Sequence, residues 1–420
     1  MPNPTSRRQF LATSAATTAA ALTLPGTLHA SFAGGADTIR VGLVGCGGRG
    51  TGAAANCCSS AEGVELVAMG DLFADRLNGS RNRLKQQLGD KYKVDDNHAF
   101  SGFDAFEKVI ASDVDLVLFA TPPAFRPQHI AAAVAAGKHV FAEKPVAVDP
   151  TGVRSVMASA KAIDEKGLNF VCGTQRRHQK KYLEVMKRIH GGALGEVLGG
   201  QCYWNMGTLW VHKRQEAYTD TEWQIRNWLY FTFLSGDHIV EQHVHNLDVM
   251  NWAVGQHPSK ATGMGGRQVR TGEIHGNIFD HFAIDYEYAS GARVQSYCRQ
   301  TKNCANRVGE YIIGTEGNSN PGKWIRGETN YKAPGGGQNP YVQEHADLIH
   351  AIRTGKRINE AQRIAESTLT AIMGRMSAYT GKAVTWEKAL NSKLDLVPQN
   401  MNFGELAVRN TSTPGRTKLV

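Results

Sequence analysis

Ile39-Arg40-Val41-Gly42-Leu43-Val44-Gly45-Cys46-Gly47-Gly48-Arg49-Gly50 joins a short apolar run to a G-x-G-x-x-G turn. In a chain with 45 glycines the turn alone says little. Its flanks give it meaning. A strand is expected over 39–44, and a helix opens beyond the turn over 52–60. A second apolar run, Val64–Met69, leads to Asp71, 21 residues past Gly50. That order is the fingerprint of a dinucleotide-binding βαβ unit. Gly45 permits the tight turn, Gly47 lets backbone approach a pyrophosphate, and Gly50 lets helix and strand pack closely. The helix N-terminus adds N–H donors and the positive end of its dipole. Asp71 would accept hydrogen bonds from ribose hydroxyls and repel a 2′-phosphate, which favours NAD over NADP.

Outward from this turn the chain continues to alternate. Helices are expected at Phe103–Ala111, Pro127–Ala136 and Pro150–Lys166, and strands at Val114–Ala120, Lys138–Ala142 and Asn169–Cys172. Such alternation implies a doubly wound parallel sheet with helices on both faces. After Gly173 the pattern changes. Phe282, Ile284, Tyr286 and Tyr288 alternate with Ala283, Asp285 and Glu287, and Gly291 turns the chain into Val294–Cys298. That is the mark of an antiparallel sheet with one buried face. Further helices are expected at Tyr182–Ile189, Ile239–Ala253, Tyr341–Thr354 and Ala361–Tyr379, and a long loop over Gly314–Gln338. The expected class is α/β: an N-terminal Rossmann domain over 37–172 and a C-terminal α+β domain over 173–400 with a large, mostly antiparallel open sheet. A tail over 401–420 follows.

The composition fits a folded chain of two domains. It has 420 residues, 41% hydrophobic and 20% charged, which excludes disordered and collagen-like classes. The formal charge of +9 is spread along the sequence, with one short cluster at Arg176, Arg177, Lys180 and Lys181. Nucleic-acid binders concentrate their charge, so no nucleic-acid partner is expected. The excess suggests a mild preference for anionic ligands. Seven cysteines without a C-x-x-C pair suggest neither a zinc ribbon nor a disulfide framework, although a Cys298–Cys304 bridge is conceivable in an oxidising compartment. At the N-terminus Arg7-Arg8 precedes an Ala/Thr-rich stretch that Pro25 breaks, with small residues following to Ala33. This is the order of a twin-arginine export signal over 1–33, implying the export machinery as a partner and a periplasmic destination. No later run of about 20 apolar residues predicts a membrane span.

Three more motifs stand in the chain: Ala120-Thr121-Pro122-Pro123 with His129; Gly137-Lys138-His139-Val140-Phe141-Ala142-Glu143-Lys144-Pro145; and Gly236 to Asp248, which contains His245-Asn246-Leu247-Asp248. Together with the glycine turn, with Gly173-Thr174-Gln175-Arg176-Arg177 and with Gly381-Lys382-Ala383-Val384-Thr385-Trp386, they resemble the Gfo/Idh/MocA family over residues 38–390. The resemblance implies that Gly48, Arg49, Thr121, Pro122, His129, Glu143 and Lys144 join Gly45, Gly47, Gly50 and Asp71 around the cofactor. It also implies that His245 is the general acid/base and that the open sheet forms a dimer or tetramer interface. Where the family often has Asp, this chain has Glu241.

Lys144 follows a strand end, where its charge would polarise a substrate hydroxyl or carbonyl near the nicotinamide. Glu241 and His245, four apart, share a helix face, where the carboxylate would assist the imidazole, and Asp237 and Asp248 extend the stripe as candidate substrate contacts. An imidazole that titrates near neutrality suits proton transfer from a sugar hydroxyl. Two other readings of this helix exist, a metal site and a plain structural helix. His243 and His245 diverge by about 200° on a helix, so no metal is expected. Trp204, Trp210, Trp223, Arg226 and Trp228 are candidates for a carbohydrate wall, as are Arg176 and Arg177 for substrate contact. The expected activity is hydride transfer between a sugar, cyclitol or related polyol and tightly bound NAD. The alternatives are an NAD-dependent glycoside hydrolase, which would oxidise its substrate transiently, and a non-catalytic binding protein.

Overall fold

The computed structural model describes residues 38–420. The leader reading therefore lies outside the described residues. Six strands form the first sheet: β1 (Ile39–Val44), β2 (Val64–Asp71), β3 (Ala99–Ser101), β4 (Leu116–Phe119), β5 (His139–Ala142) and β6 (Phe170–Cys172). Their order is β3-β2-β1-β4-β5-β6, all parallel. Helices cover both faces, so the strands are apolar on both sides: Val41, Leu43 and Leu116 to Phe119 are fully buried. The strand order reverses between β1 and β4. A crevice must open there, at the C-terminal ends, and the glycine turn leaves β1 into it.

Nine strands form the second sheet: β7 (Val197–Met206), β8 (Pro258–Gly266), β9 (His281–Tyr288), β10 (Arg293–Gln300), β11 (Arg307–Gly314), β12 (Gly317–Asn320), β13 (Trp324–Gly327), β14 (Tyr331–Lys332) and β15 (Val384–Thr385). Their order is β14-β13-β12-β11-β7-β10-β9-β8-β15. All pairs are antiparallel except β7 with β10. On β9 the expected face holds: Phe282, Ile284, Tyr286 and Tyr288 are buried. The helix Ala361–Thr380 ties the lobes, lying against both β8 and the helix Pro150–Lys166. The helix Pro340–Thr354 crosses back to the first lobe, where Leu348, Ile349 and Ile352 enter its core.

Two expectations need correction, and one helix is additional. The stretch Gly314–Gln338 is not a long loop, since β12, β13 and β14 lie within it and extend the sheet. Its buried anchors are few, Ser319, Pro321 and Ile325, so no apolar alternation marks it. A helix at Ala74–Leu88, not anticipated, follows Asp71; its apolar stripe is only Leu77, Leu84 and Leu88, diluted by Asn, Arg and Gln. The expected helix Ile239–Ala253 is two helices, His238–Glu241 and Val244–Val254. His243 N–H donates to His238 O, a five-residue span that inserts a bulge between them. All seven cysteines are free, with Cys298 buried and Cys304 exposed.

Candidate active site

The cofactor cradle is built from backbone. The helix Gly48–Ser59 begins inside the glycine turn, with Gly47 at its N-cap and no side chain capping it. Its first N–H groups border the crevice and have no protein acceptor among the described residues. Gly45 sits at φ +96°, a conformation that L side chains rarely adopt. A Cβ on Gly50 would lie 1.8 Å from Gly45 O, whereas one on Gly47 or Gly48 would meet nothing within 4 Å. Packing thus requires the inner glycine, and the outer two border open space. That is the shape a diphosphate needs.

Asp71 closes the far side. It accepts hydrogen bonds from Cys46 N–H at 2.6 Å and Phe73 N–H at 2.9 Å, which fixes its carboxylate beside the turn. Burial raises its pKa, against those two bonds. A cavity of about 490 Å³ runs from Asp71 along the glycine turn to Thr121, Pro122 and His129. His129 is stacked on Phe106 at 4.2 Å, and its ring contacts Thr121 Oγ1 at 3.3 Å. Burial, with Arg126 nearby, holds its pKa down to about 3, so it is neutral.

Arg49 leaves the turn and joins two buried carboxylates, Glu143 at 2.5 Å and Glu344 at 3.1 Å. Burial raises Glu344 strongly, and Glu143 adds to the effect. Next to Glu143, at the end of β5, Lys144 Nζ donates to Glu241 O at 2.6 Å and to Glu241 Oε1 at 3.0 Å. The first lobe's ammonium is thereby anchored on the second lobe's short helix. His245 lies within reach of the Lys144 charge. Burial pushes its pKa well down, and the Lys144 and Arg176 cations push further. Its Nδ1 is buried with no partner among the described residues, and its ring stacks on Trp204 at 5.8 Å. Arg176 pairs with Glu310, which also accepts from Tyr182 at 3.1 Å and Asn246 at 2.6 Å.

The remaining candidates divide. The bulge corrects the Glu241–His245 pairing: Glu241 holds Lys144 and not the imidazole. Asp237 points into the core, where it accepts from Phe279 N–H and Tyr379 OH, and so does not extend a stripe toward substrate. Asp248 is buried in an internal cluster with Arg177, Arg363 and Ser367. The arginines and hydrogen bonds outweigh its burial and hold its pKa below the carboxylate range. This removes both Asp248 and Arg177 from the substrate side. Among the tryptophans, Trp204 alone stands by His245. Trp210, Trp228 and Arg226 line the cofactor cavity, and Trp223 is buried core. No group of three or more His, Cys, Asp or Glu among the described residues is placed to hold a metal. No described helix is long and apolar enough to cross a membrane. Sequence reasoning missed Glu344, Tyr341 and Glu310. They lie 134 to 295 residues from the arginines they meet, and no local spacing announces them.

Comparison with known proteins agrees with this architecture. Residues 39–168 match the model of the oxidoreductase family with an NAD-binding Rossmann fold, and residues 182–319 match the GFO/IDH/MocA C-terminal domain. Residues 4–23 match the twin-arginine translocation signal. An inositol 2-dehydrogenase of Klebsiella pneumoniae (strain 342) is 27% identical over 266 residues, 61% of this chain and 66% of that protein. A 2,7-anhydro-N-acetylneuraminate hydratase of Escherichia coli (strain K12) is 27% identical over 178 residues, 42% of this chain and 44% of that protein. The matches thus span about half to two thirds of these curated relatives. The scyllo-inositol dehydrogenase of Lactobacillus casei, solved with NAD(H) and scyllo-inositol, shares the fold at TM-score 0.63 and 19% identity, covering 84% of this chain and all of that one. With both domain models in order on one chain, behind a twin-arginine signal match, the protein belongs to the Gfo/Idh/MocA family of NAD-binding oxidoreductases.

Proposed function

We propose that the protein is an exported, periplasmic NAD-dependent oxidoreductase acting on an uncharged sugar, cyclitol or related polyol. The observation that carries this reading is the Lys144–Glu241 bridge between the lobes at the end of β5, with buried His245 close enough for the Lys144 charge to act on it. Bound NAD supplies the hydride acceptor. Glu241 takes two of the three Lys144 donors, so the third is left for a substrate oxygen. His245 is neutral because of its burial, and a neutral imidazole can take the hydroxyl proton as the carbon is oxidised. The cations here are matched by carboxylates: Lys144 by Glu241, Arg176 by Glu310, and Arg49 by Glu143 and Glu344. Under this reading the chain divides into a leader over 1–33, a cofactor domain over 37–172, a substrate domain over 173–400 and a tail. Exposed Tyr297 and Ile313, on one face of the second sheet, support self-association through that face.

A second, redox-neutral reading is favoured by one relative, whose printed name is a hydratase rather than a dehydrogenase. In that case the chain would cleave or hydrate a glycoside, with substrate oxidation undone before release. One experiment separates the two. Purified protein is offered free inositols and aldoses, then aryl glycosides, while NADH absorbance and aglycone are followed. NADH accumulation with the free polyols supports the dehydrogenase. Aglycone release with no net NADH supports the redox-neutral route. Inertness toward both classes overturns the substrate assignment.

Asp71 is the proposed reason for NAD preference, since its carboxylate would meet a 2′-phosphate. Asp71→Ala is expected to narrow NAD over NADP discrimination by about tenfold or more, read as the ratio of kcat/KM values. Unchanged discrimination would place the selectivity elsewhere. Asp71 also accepts from Cys46 and Phe73, so the melting temperature is measured alongside.

A further inference from the structure

We propose that residues 207–230 of the second lobe, with Phe403 of the tail, form a latch across the cofactor cleft that keeps NAD resident through many catalytic cycles. The proposal rests on NAD occupying the cleft and goes beyond it by assigning its retention to particular contacts. The cavity that begins at the glycine turn and Asp71 is walled on its other side by Trp210, His212, Ile225, Arg226 and Trp228. None of these belongs to the nucleotide fingerprint. They enter from a long excursion between β7 and the paired helices.

The excursion is held in shape by its own contacts. His212 N–H donates to Asn227 Oδ1 at 2.9 Å, Trp223 Nε1 donates to His212 O at 3.2 Å, and Tyr230 OH donates to Trp210 O at 2.8 Å. Trp210 meets Trp228 edge-on at 5.9 Å. It is also fastened to the first lobe. Arg226 grips Asp75 through both terminal nitrogens, at 3.1 and 3.0 Å, and its guanidinium lies 3.9 Å from the Phe73 ring centre. Arg76 Nη2 approaches His212 Nε2 at 3.3 Å. Phe73, Asp75 and Arg76 follow directly on Asp71, so the fastening spans the mouth at the ribose end.

The tail adds a second fastening. Thr221 N–H donates to Gly404 O, Gln224 Nε2 donates to Leu406 O, and Leu406 N–H donates to Asp220 Oδ2. Phe403 then sits 5.0 Å from Phe103 and 6.0 Å from Phe73. Phe103 lines the cavity, so the tail pins the excursion and first-lobe aromatics together. A dinucleotide lying on the glycine turn is enclosed from both lobes. Its release requires the excursion to lift, breaking a two-pronged ion pair and an aromatic cluster together. Export by the twin-arginine route, which carries folded proteins, would deliver such a chain already loaded.

The test uses Asp75→Asn with Phe403→Ala in the full chain. The Asp75 side chain is 62% exposed and Phe403 is 46% exposed, so neither change empties a core. NAD is quantified after denaturing the protein as purified, and exchange is timed against isotopically labelled NAD. The wild type is expected to carry close to one NAD per chain through dialysis and to exchange it slowly. The double variant is expected to exchange at least about tenfold faster, with the melting temperature of the cofactor-free form unchanged. Equal exchange rates in the two proteins overturn the latch. Wild-type exchange within seconds overturns it too, while leaving NAD binding intact. A wild type that neither carries nor binds NAD overturns the latch together with the cofactor assignment beneath it.

Discussion

His245→Ala and Lys144→Ala are each expected to lower turnover by about 10²- to 10⁴-fold while NAD binding persists, the range over which a positioned acid or base acts. For His245 the expectation follows from its place. The ring is stacked on Trp204 and hydrogen-bonded to nothing among the described residues, so its basicity is available to substrate. Removing it empties space beside the cleft but breaks no described hydrogen bond. Lys144 is different, because its loss leaves Glu241 as a buried carboxylate without its cation, and such orphaned charges are costly. A fall in turnover could then reflect damage. Lys144→Ala combined with Glu241→Gln resolves the ambiguity, since the amide needs no counter-ion. In that double variant the melting temperature is expected to recover while turnover stays low. Wild-type turnover in either single variant would remove that residue from the chemistry. Recovery of both stability and turnover in the double variant would make Lys144 a structural counter-ion only.

What could be read in advance follows from the range of the interactions. The glycine turn, Asp71 and the Glu143-Lys144-Pro145 turn are set by residues a few positions apart, and spacing reveals them. The alternating face of β9 is legible for the same reason. The stripe expected over 237–248 fails because a helical period assumes an unbroken helix. The bulge at Gln242 and His243 needs one extra residue in the hydrogen-bonded span, and both residue types are ordinary in helices. With the register changed, Glu241 turns to Lys144, and Asp237 turns inward at φ 71° to cap the short helix. The Arg49–Glu344 and Arg226–Asp75 pairs join residues 295 and 151 positions apart. A charged residue carries no mark of its partner. Only the folded path of the helix Pro340–Thr354 and the 207–230 excursion brings each acid to its arginine.

Gly47→Ala and Gly50→Ala, three residues apart, are expected to fail in opposite ways. At Gly50 an added Cβ would lie 1.8 Å from Gly45 O and 3.0 Å from Gly45 C. Both atoms are backbone, so no side chain can rotate aside, and the helix must move off β1. A cost of about 3–5 kcal/mol in stability is expected, at the severe end for one methyl group, together with loss of cofactor. At Gly47 the backbone is φ −67°, ψ −178°, which alanine adopts without strain, and no atom lies within 4 Å of the new methyl. The cofactor-free protein should therefore unfold within about 0.5 kcal/mol of wild type. The methyl would, however, occupy the space that a diphosphate needs to reach the free N–H groups of the helix Gly48–Ser59. NAD affinity is accordingly expected to fall by at least about tenfold, measured by calorimetry on stripped protein alongside denaturant melts. The separation is what matters: stability lost at one glycine, binding lost at the other. Wild-type NAD affinity in Gly47→Ala would mean that the diphosphate does not lie on this turn. The Lys144–His245 pair would then lose the cofactor it is placed to serve.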